Sequence, residues 1–269
     1  MKILALSDIQ SDSRNIFSLI GSVLPNMVLL AGDLVDKIWK HRSSWKRLRS
    51  LLMLLDDLSL PTYIVRGNHD IYPHFDWLMS FPYKRVESLD LKNKITKPIS
   101  IIGVPHNFSD DLTKIRTLET DPPPLVDIVI SHTESKRRPW LFYIPAKIIL
   151  TGHFDQQLSV INNRVFISMS SFPSQYTIIN YQSRNNFHIE YFDNSYHGLL
   201  IREIEYRNGR FSSKNLFDSS NHYASQVECL IKQRSLLREG LTTRKEAQDK
   251  LDKLGVSPNH YREVLACID

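Results

Sequence analysis

Apolar residues in this chain come in short runs, and five of those runs stop at a polar residue able to bind a metal or move a proton. Lys2-Ile3-Leu4-Ala5-Leu6-Ser7 runs into Asp8, and Met27-Val28-Leu29-Leu30-Ala31 into Gly32-Asp33. Thr62-Tyr63-Ile64-Val65 leads through Arg66 to Gly67-Asn68-His69-Asp70. Val126-Asp127-Ile128-Val129-Ile130-Ser131 ends in His132, and Lys147-Ile148-Ile149-Leu150-Thr151 in Gly152-His153. Such runs, β-branched and aliphatic, predict buried strands. Between them the period lengthens. Residues 12–24 carry Ile16, Leu19, Ile20 and Val23 at helical spacing, with Ser11, Asp12 or Ser13 as caps. Residues 43–59 set Trp45, Leu48, Leu51, Leu52 and Leu55 in a stripe opposite the arginines. A short helix is expected over 74–80 and a strand over 99–104. Asp121-Pro122-Pro123-Pro124 breaks the chain before the His132 strand.

After Asp155 the alternation changes. Leu158–Ile161, Arg164–Ser168, Tyr176–Asn180 and Gly198–Arg202 read as strands, and Asn162-Asn163 and Asn208-Gly209 as hairpin turns. Hairpins following α/β units predict a second sheet stacked on the first. From about residue 219 the pattern turns helical, with candidate helices over 222–239, from Thr242 or Thr243 to Gly255, and from Ser257-Pro258. The expected organisation is one domain over 1–218 and a helical extension over 219–269.

Composition narrows the class. A hydrophobic content of 42% supplies a core, yet no apolar run is long enough to span a membrane. The first strand starts at Lys2, which leaves no room for a signal peptide, so a cytoplasmic location is expected. Cys229 and Cys267 are the only cysteines and are expected as free thiols. The formal net charge of +5 is unevenly placed. Residues 37–50 hold Lys37, Lys40, Arg42, Lys46, Arg47 and Arg49 with Trp39 and Trp45 and no acid. Lys136-Arg137-Arg138 and Trp140 follow His132 closely. Basic side chains among aromatics suit an anionic substrate, nucleic acid or an anionic membrane surface. A solvated helix face with inward tryptophans is the alternative for 37–50.

Metal-ligating residues at the carboxyl ends of strands lie where open α/β sheets place their sites. The ordered set Asp8, Gly32-Asp33, Gly67-Asn68-His69-Asp70, His132 and Gly152-His153 resembles the calcineurin-like metallophosphoesterase superfamily over about residues 1–170. The resemblance implies an α/β (α+β) fold, a two-sheet β-sandwich flanked by helices. It implies two divalent metal ions, with Asp33 as bridge, Asn68, His132 and His153 on the second metal, and Asp8 with positions 10 and 155 on the first. His69 would protonate the leaving oxygen or stabilise its charge, and Asp70 would fix the tautomer of the His69 ring and raise its pKa. Paired metals neutralise phosphoryl oxygens and lower the pKa of a shared water, so hydroxide can attack phosphorus near neutral pH.

Two positions depart from the superfamily pattern, and both fall on the first metal. Gln10 and Asp155 stand where histidines are expected. With Asp8 and Asp33 they make an all-oxygen donor set, which favours Mn²⁺ or Mg²⁺ over Zn²⁺ or Fe. The first site is therefore expected to be weaker than the second, and decay of that site is the competing view. Arg66 either reaches a phosphate or pairs with an acid. His106, after the 99–104 strand, and Lys136 and Arg137, after His132, are candidate substrate contacts. His74 and His197 match no part of the signature. The expected activity is a metal-dependent phosphoesterase, with diester chemistry favoured by His69 and phosphomonoester or pyrophosphate substrates as variants. A DNA-processing nuclease is one version. A non-catalytic scaffold or binding protein is the second class, motivated by Gln10 and Asp155. The C-terminal helices are candidates for dimerisation or a protein partner.

Overall fold

The structure, a computed structural model, describes residues 1–9, 13–35, 42–70, 74–89, 93–96, 98–106, 124–132, 141, 143–152, 157–169, 172, 175–196 and 198–218. The front of the chain alternates strand and helix: β1 (Lys2–Leu6), α1 (Ser13–Val23), β2 (Met27–Ala31), α2 (Arg42–Asp57), β3 (Thr62–Val65), α3 (His74–Met79) and β4 (Val86–Ser88). Then come β5 (Asn93–Thr96), β6 (Ile99–Val104), β7 (Val126–His132) and β8 (Ala146–Gly152). The later described elements, up to residue 218, are strands: β9 (Gln157–Ile161), β10 (Arg164–Ser168), β11 (Gln175–Ser183), β12 (Asn186–Tyr196), β13 (Gly198–Arg207) and β14 (Arg210–Asp218).

These strands form two sheets. One has eight strands in the order β14-β13-β12-β11-β1-β2-β3-β4, and the other six in the order β5-β6-β7-β8-β10-β9. The sandwich expected from the sequence is present, but its division is different. The later hairpins do not make a sheet of their own. β11 adds antiparallel to β1, while β10 adds parallel to β8 and carries β9 with it. A parallel edge left open by α/β units is closed more readily by a following strand than by a separate layer, because its unpaired N–H and C=O groups need partners.

Burial follows the alternation. Ile3, Ala5, Met27, Leu29 and Ala31 of the larger sheet meet Ile128, Ile130, Ile148, Leu150, Val165 and Ile167 of the smaller in the central core. The other face of the larger sheet, Leu4, Leu6, Val28, Leu30 and Ile64, is covered by α1 and α2. Ile16, Leu19, Ile20 and Val23 are buried on α1, as are Trp45, Leu48, Leu51, Leu52 and Leu55 on α2, matching both predicted stripes. Trp45 packs inward and stacks on His74 with ring centroids 5.4 Å apart, so it belongs to the core and not to a basic surface. Asn162, Asn163, Asn208 and Gly209 all have positive φ, as two-residue hairpin turns require.

The chain divides into two compact units. One comprises Met1–Phe192 with Arg202–Asn215, and the other Asp193–Ile201 with Leu216–Asp269. The site lies in the first. The helices expected after residue 219, together with Cys229 and Cys267, lie outside the described residues. No helix among the described residues is long and apolar enough to cross a membrane.

Candidate metal centre

β1 and β2 are parallel neighbours, with Leu6 in register with Leu30, and the chain leaves both in the same unusual way. Asp8 follows β1 with φ 51°, and Asp33 follows β2 and Gly32 with φ 51°. A left-handed backbone costs most residues about 1 kcal/mol or more, and aspartate is one of the few that tolerates it. The two turns are tied together, since the Asp8 N–H donates to the Gly32 carbonyl at 3.0 Å. The Ser7 hydroxyl lies 2.5 Å from Asp8 Oδ2 and 3.0 Å from the Ala31 carbonyl. Both carboxylates are thus buried and aimed before any ligand arrives.

His132 comes from the other sheet. It ends β7, is fully buried, and places Nδ1 2.7 Å from the Ala31 carbonyl oxygen. A carbonyl only accepts, so Nδ1 carries the proton and Nε2 is the atom presented to the site. That Nε2 lies 3.0 Å from Asn68 Oδ1 and 3.3 Å from Asp33 Oδ1. The packing around this ring leaves no slack. A side chain at Gly152 would overlap Ser7 Oγ, the Ala31 carbonyl and His132 Nδ1.

Asp33 sits at the middle. Its Oδ1 accepts the His69 backbone N–H at 2.9 Å, and its Oδ2 lies 3.3 Å from His69 Nδ1. Burial works to raise its pKa, but the hydrogen bonds and charges of His132 and His69 hold the carboxyl below the ordinary range. Burial disfavours the His132 cation, yet Asp33 and Asp8 push its pKa up to about 9. Both directions mark a pocket of acceptors that calls for positive charge. Asp8, Asp33 and His132 each offer one ligand atom, all within 4.8 Å of one another, and Asn68 adds a fourth at 3.0 Å from His132. A proton on His132 or a divalent cation satisfies this set, so the donors fit a metal ion.

Of the sequence-predicted residues, Asp8, Asp33, Asn68, His69 and His132 come together. Asp70 is fully buried beside them but does not orient the His69 ring as the resemblance implied. Its Oδ1 accepts the Leu34 and Val35 N–H groups at 2.9 and 3.4 Å, and its Oδ2 accepts the Gly67 N–H at 2.9 Å. It therefore fastens the turn after β2 to the turn after β3, while the His69 ring faces Asp33. Burial and the charge of Asp33 raise Asp70 to about 7. Arg66 takes an acid: its Nη2 donates to Asp76 Oδ1 at 2.7 Å, and its guanidinium lies over the Phe75 ring. His106 stands beside His132, with its Nδ1 3.1 Å from the His132 carbonyl oxygen. Gln10, His153, Asp155, Lys136, Arg137 and His197 lie outside the described residues. Sequence reasoning missed Ser7 and the Ala31 carbonyl, which aim Asp8 and His132. A serine directly before a ligating aspartate is a usable signal, whereas a main-chain carbonyl leaves none.

Two stacked sheets, with carboxylates and imidazole converging from the strand ends of both, define a metal-dependent hydrolase fold. The family model described as calcineurin-like phosphoesterase matches residues 1–156. The chain belongs to that family, whose members hydrolyse phosphate esters and bind two divalent metals. No curated protein matches it by sequence. Among solved structures, TT1561 of Thermus thermophilus is 13% identical with a TM-score of 0.51, over 80% of this chain and 98% of that one. Yfce, a phosphoesterase from E. coli, is 13% identical with a TM-score of 0.42, over 71% and 91%. A dimetal phosphatase from Danio rerio is 12% identical with a TM-score of 0.46, over 81% and 98%.

Proposed function

We propose that this protein is a metal-dependent phosphodiesterase whose centre is formed by Asp8, Asp33, Asn68 and His132, with His69 assisting departure of the leaving group. The observation that carries the reading is the convergence of the Asp8, Asp33 and His132 donor atoms within 4.8 Å. By resemblance, Gln10, His153 and Asp155 complete the two ligand sets. Divalent ions held there would neutralise the phosphoryl oxygens and supply hydroxide near neutral pH. The oxygen-rich set of Asp8, Gln10, Asp33 and Asp155 favours Mn²⁺ or Mg²⁺ for the first ion and a weaker hold on it than on the second.

His69 is suited to its role. Its backbone N–H and ring Nδ1 both face Asp33, so the ring is held from one side and Nε2 is the atom to give a proton to the leaving oxygen. Its side chain keeps 15% of its exposure, enough for a substrate to reach it. Asp33 stays ionised and holds both imidazoles in place.

Hydrolysis of bis(4-nitrophenyl) phosphate at graded Mn²⁺ tests the centre, with Asp33→Asn as control. Activity should require the metal and be lost in the variant. His69→Ala should then lose about 100-fold or more on a diester with an alkyl leaving group. It should lose much less on the nitrophenyl ester, whose anion leaves unaided. Turnover untouched by Asp33→Asn refutes the centre. No turnover at saturating metal favours the scaffold reading.

A further inference from the structure

We infer that His106 is a positioning residue that staples the end of β3 to the end of β7, holding Asn68 and His132 at the spacing one metal ion needs. His106 lies two residues beyond β6, a strand of the smaller sheet, and two of its hydrogen bonds run in opposite directions. Its backbone N–H donates to the Arg66 carbonyl at 3.0 Å, one residue past β3 of the larger sheet and two before Asn68. Its ring Nδ1 lies 3.1 Å from the carbonyl oxygen of His132, at the end of β7. Because a carbonyl only accepts, Nδ1 is the donor. The His106 ring also meets the His132 ring edge-on, with centroids 6.0 Å apart.

The consequence is geometric. The His132 carbonyl and its side chain share one α-carbon, so fixing the peptide plane fixes the direction in which the imidazole leaves the strand. The Arg66 carbonyl fixes the approach of Gly67 and Asn68 in the same way. The two donor atoms that meet, Asn68 Oδ1 and His132 Nε2, come from different sheets and stand 3.0 Å apart. The two hydrogen bonds of His106 span both strand ends close to those donors. Groups that orient ligands in this way typically set metal affinity by about 10- to 100-fold.

The inference rests on the metal-centre reading, and the test separates the two. Mn²⁺ binding is measured by calorimetry on the full chain as wild type, His106→Asn and His106→Leu, with melting of each in excess chelator. Asparagine and leucine have similar shapes, but only asparagine carries an N–H near the position of Nδ1. The expected result is Mn²⁺ binding about 10-fold weaker or more in His106→Leu and within about 3-fold of wild type in His106→Asn. Equal affinity in wild type and His106→Leu overturns the inference and leaves the centre standing. Equal weakening in both variants overturns it too, since the donated hydrogen bond would then not be the cause. Absence of Mn²⁺ binding in wild type overturns the centre and the inference with it. If His106→Leu does not fold in chelator, His106→Ala replaces it, judged by the same comparison with His106→Asn.

Discussion

Gly152 ends β8 against Ser7, the Ala31 carbonyl and the His132 ring, where even one methyl group has no place to go. Gly152→Ala is expected to destabilise the fold by about 1–3 kcal/mol, the usual cost of overpacking a tight interior. It should also abolish Mn²⁺ binding, because the displaced atoms are those that aim Asp8 and His132. Urea denaturation and calorimetry on one preparation check both effects. At this scale the convergence of Asp8, Asp33, Asn68, His69 and His132 was legible in the sequence, since each stands where an apolar run stops. The role of Asp70 was not, because it depends on N–H groups of Leu34 and Val35 that lie 36 and 35 residues away along the chain. Arg66 offered two partners on paper, and its pairing with Asp76 became visible only in the fold.

Helices α1 and α2 were legible because their buried stripes repeat at helical spacing, and both were found within a residue or two of expectation. β12 was missed although Phe187, Ile189 and Tyr191 alternate correctly, since the polar residues between them broke up the apolar run. Sheet membership was not legible either, as nothing local tells a hairpin which open edge it will join. The end of α1 carries an element-scale prediction. Leu24 follows the helix with φ 50°, donates its N–H to the Ile20 carbonyl at 2.8 Å and leaves 73% of its surface exposed. A left-handed leucine costs roughly 1–2 kcal/mol, and its exposed side chain returns little by burial. Leu24→Gly, after the extra flexibility of the unfolded chain is subtracted, should stabilise the protein by a few tenths to about 1 kcal/mol. A rise in the urea midpoint with unchanged slope would show it.

At the scale of the molecule, the sandwich is tied by a buried charge away from the candidate metal centre. Asp127, on β7 of the smaller sheet, accepts the Arg184 Nε–H at 2.8 Å from the residue after β11 of the larger, and the Ser100 N–H and hydroxyl at 2.7 Å. Burial works to raise its pKa, but Arg184, Ser100 and Tyr181 together hold it below the ordinary carboxylate value. A carboxyl lowered on folding contributes its full stability above its unfolded pKa, and that contribution disappears as pH falls through the lower folded value. Below about pH 5, stability should therefore fall more steeply in wild type than in Asp127→Asn, which urea midpoints at stepped pH would reveal. The proposed metal centre would draw on the same two sheets at the other end of β7, and this has a thermodynamic consequence. An ion that needs donors from both sheets binds only where they are already docked, so each bound ion adds RT ln(1 + [M]/Kd) to the work of parting them. Folding and loading would then be one equilibrium, and a melting temperature for this protein would have meaning only beside the free metal concentration at which it was taken.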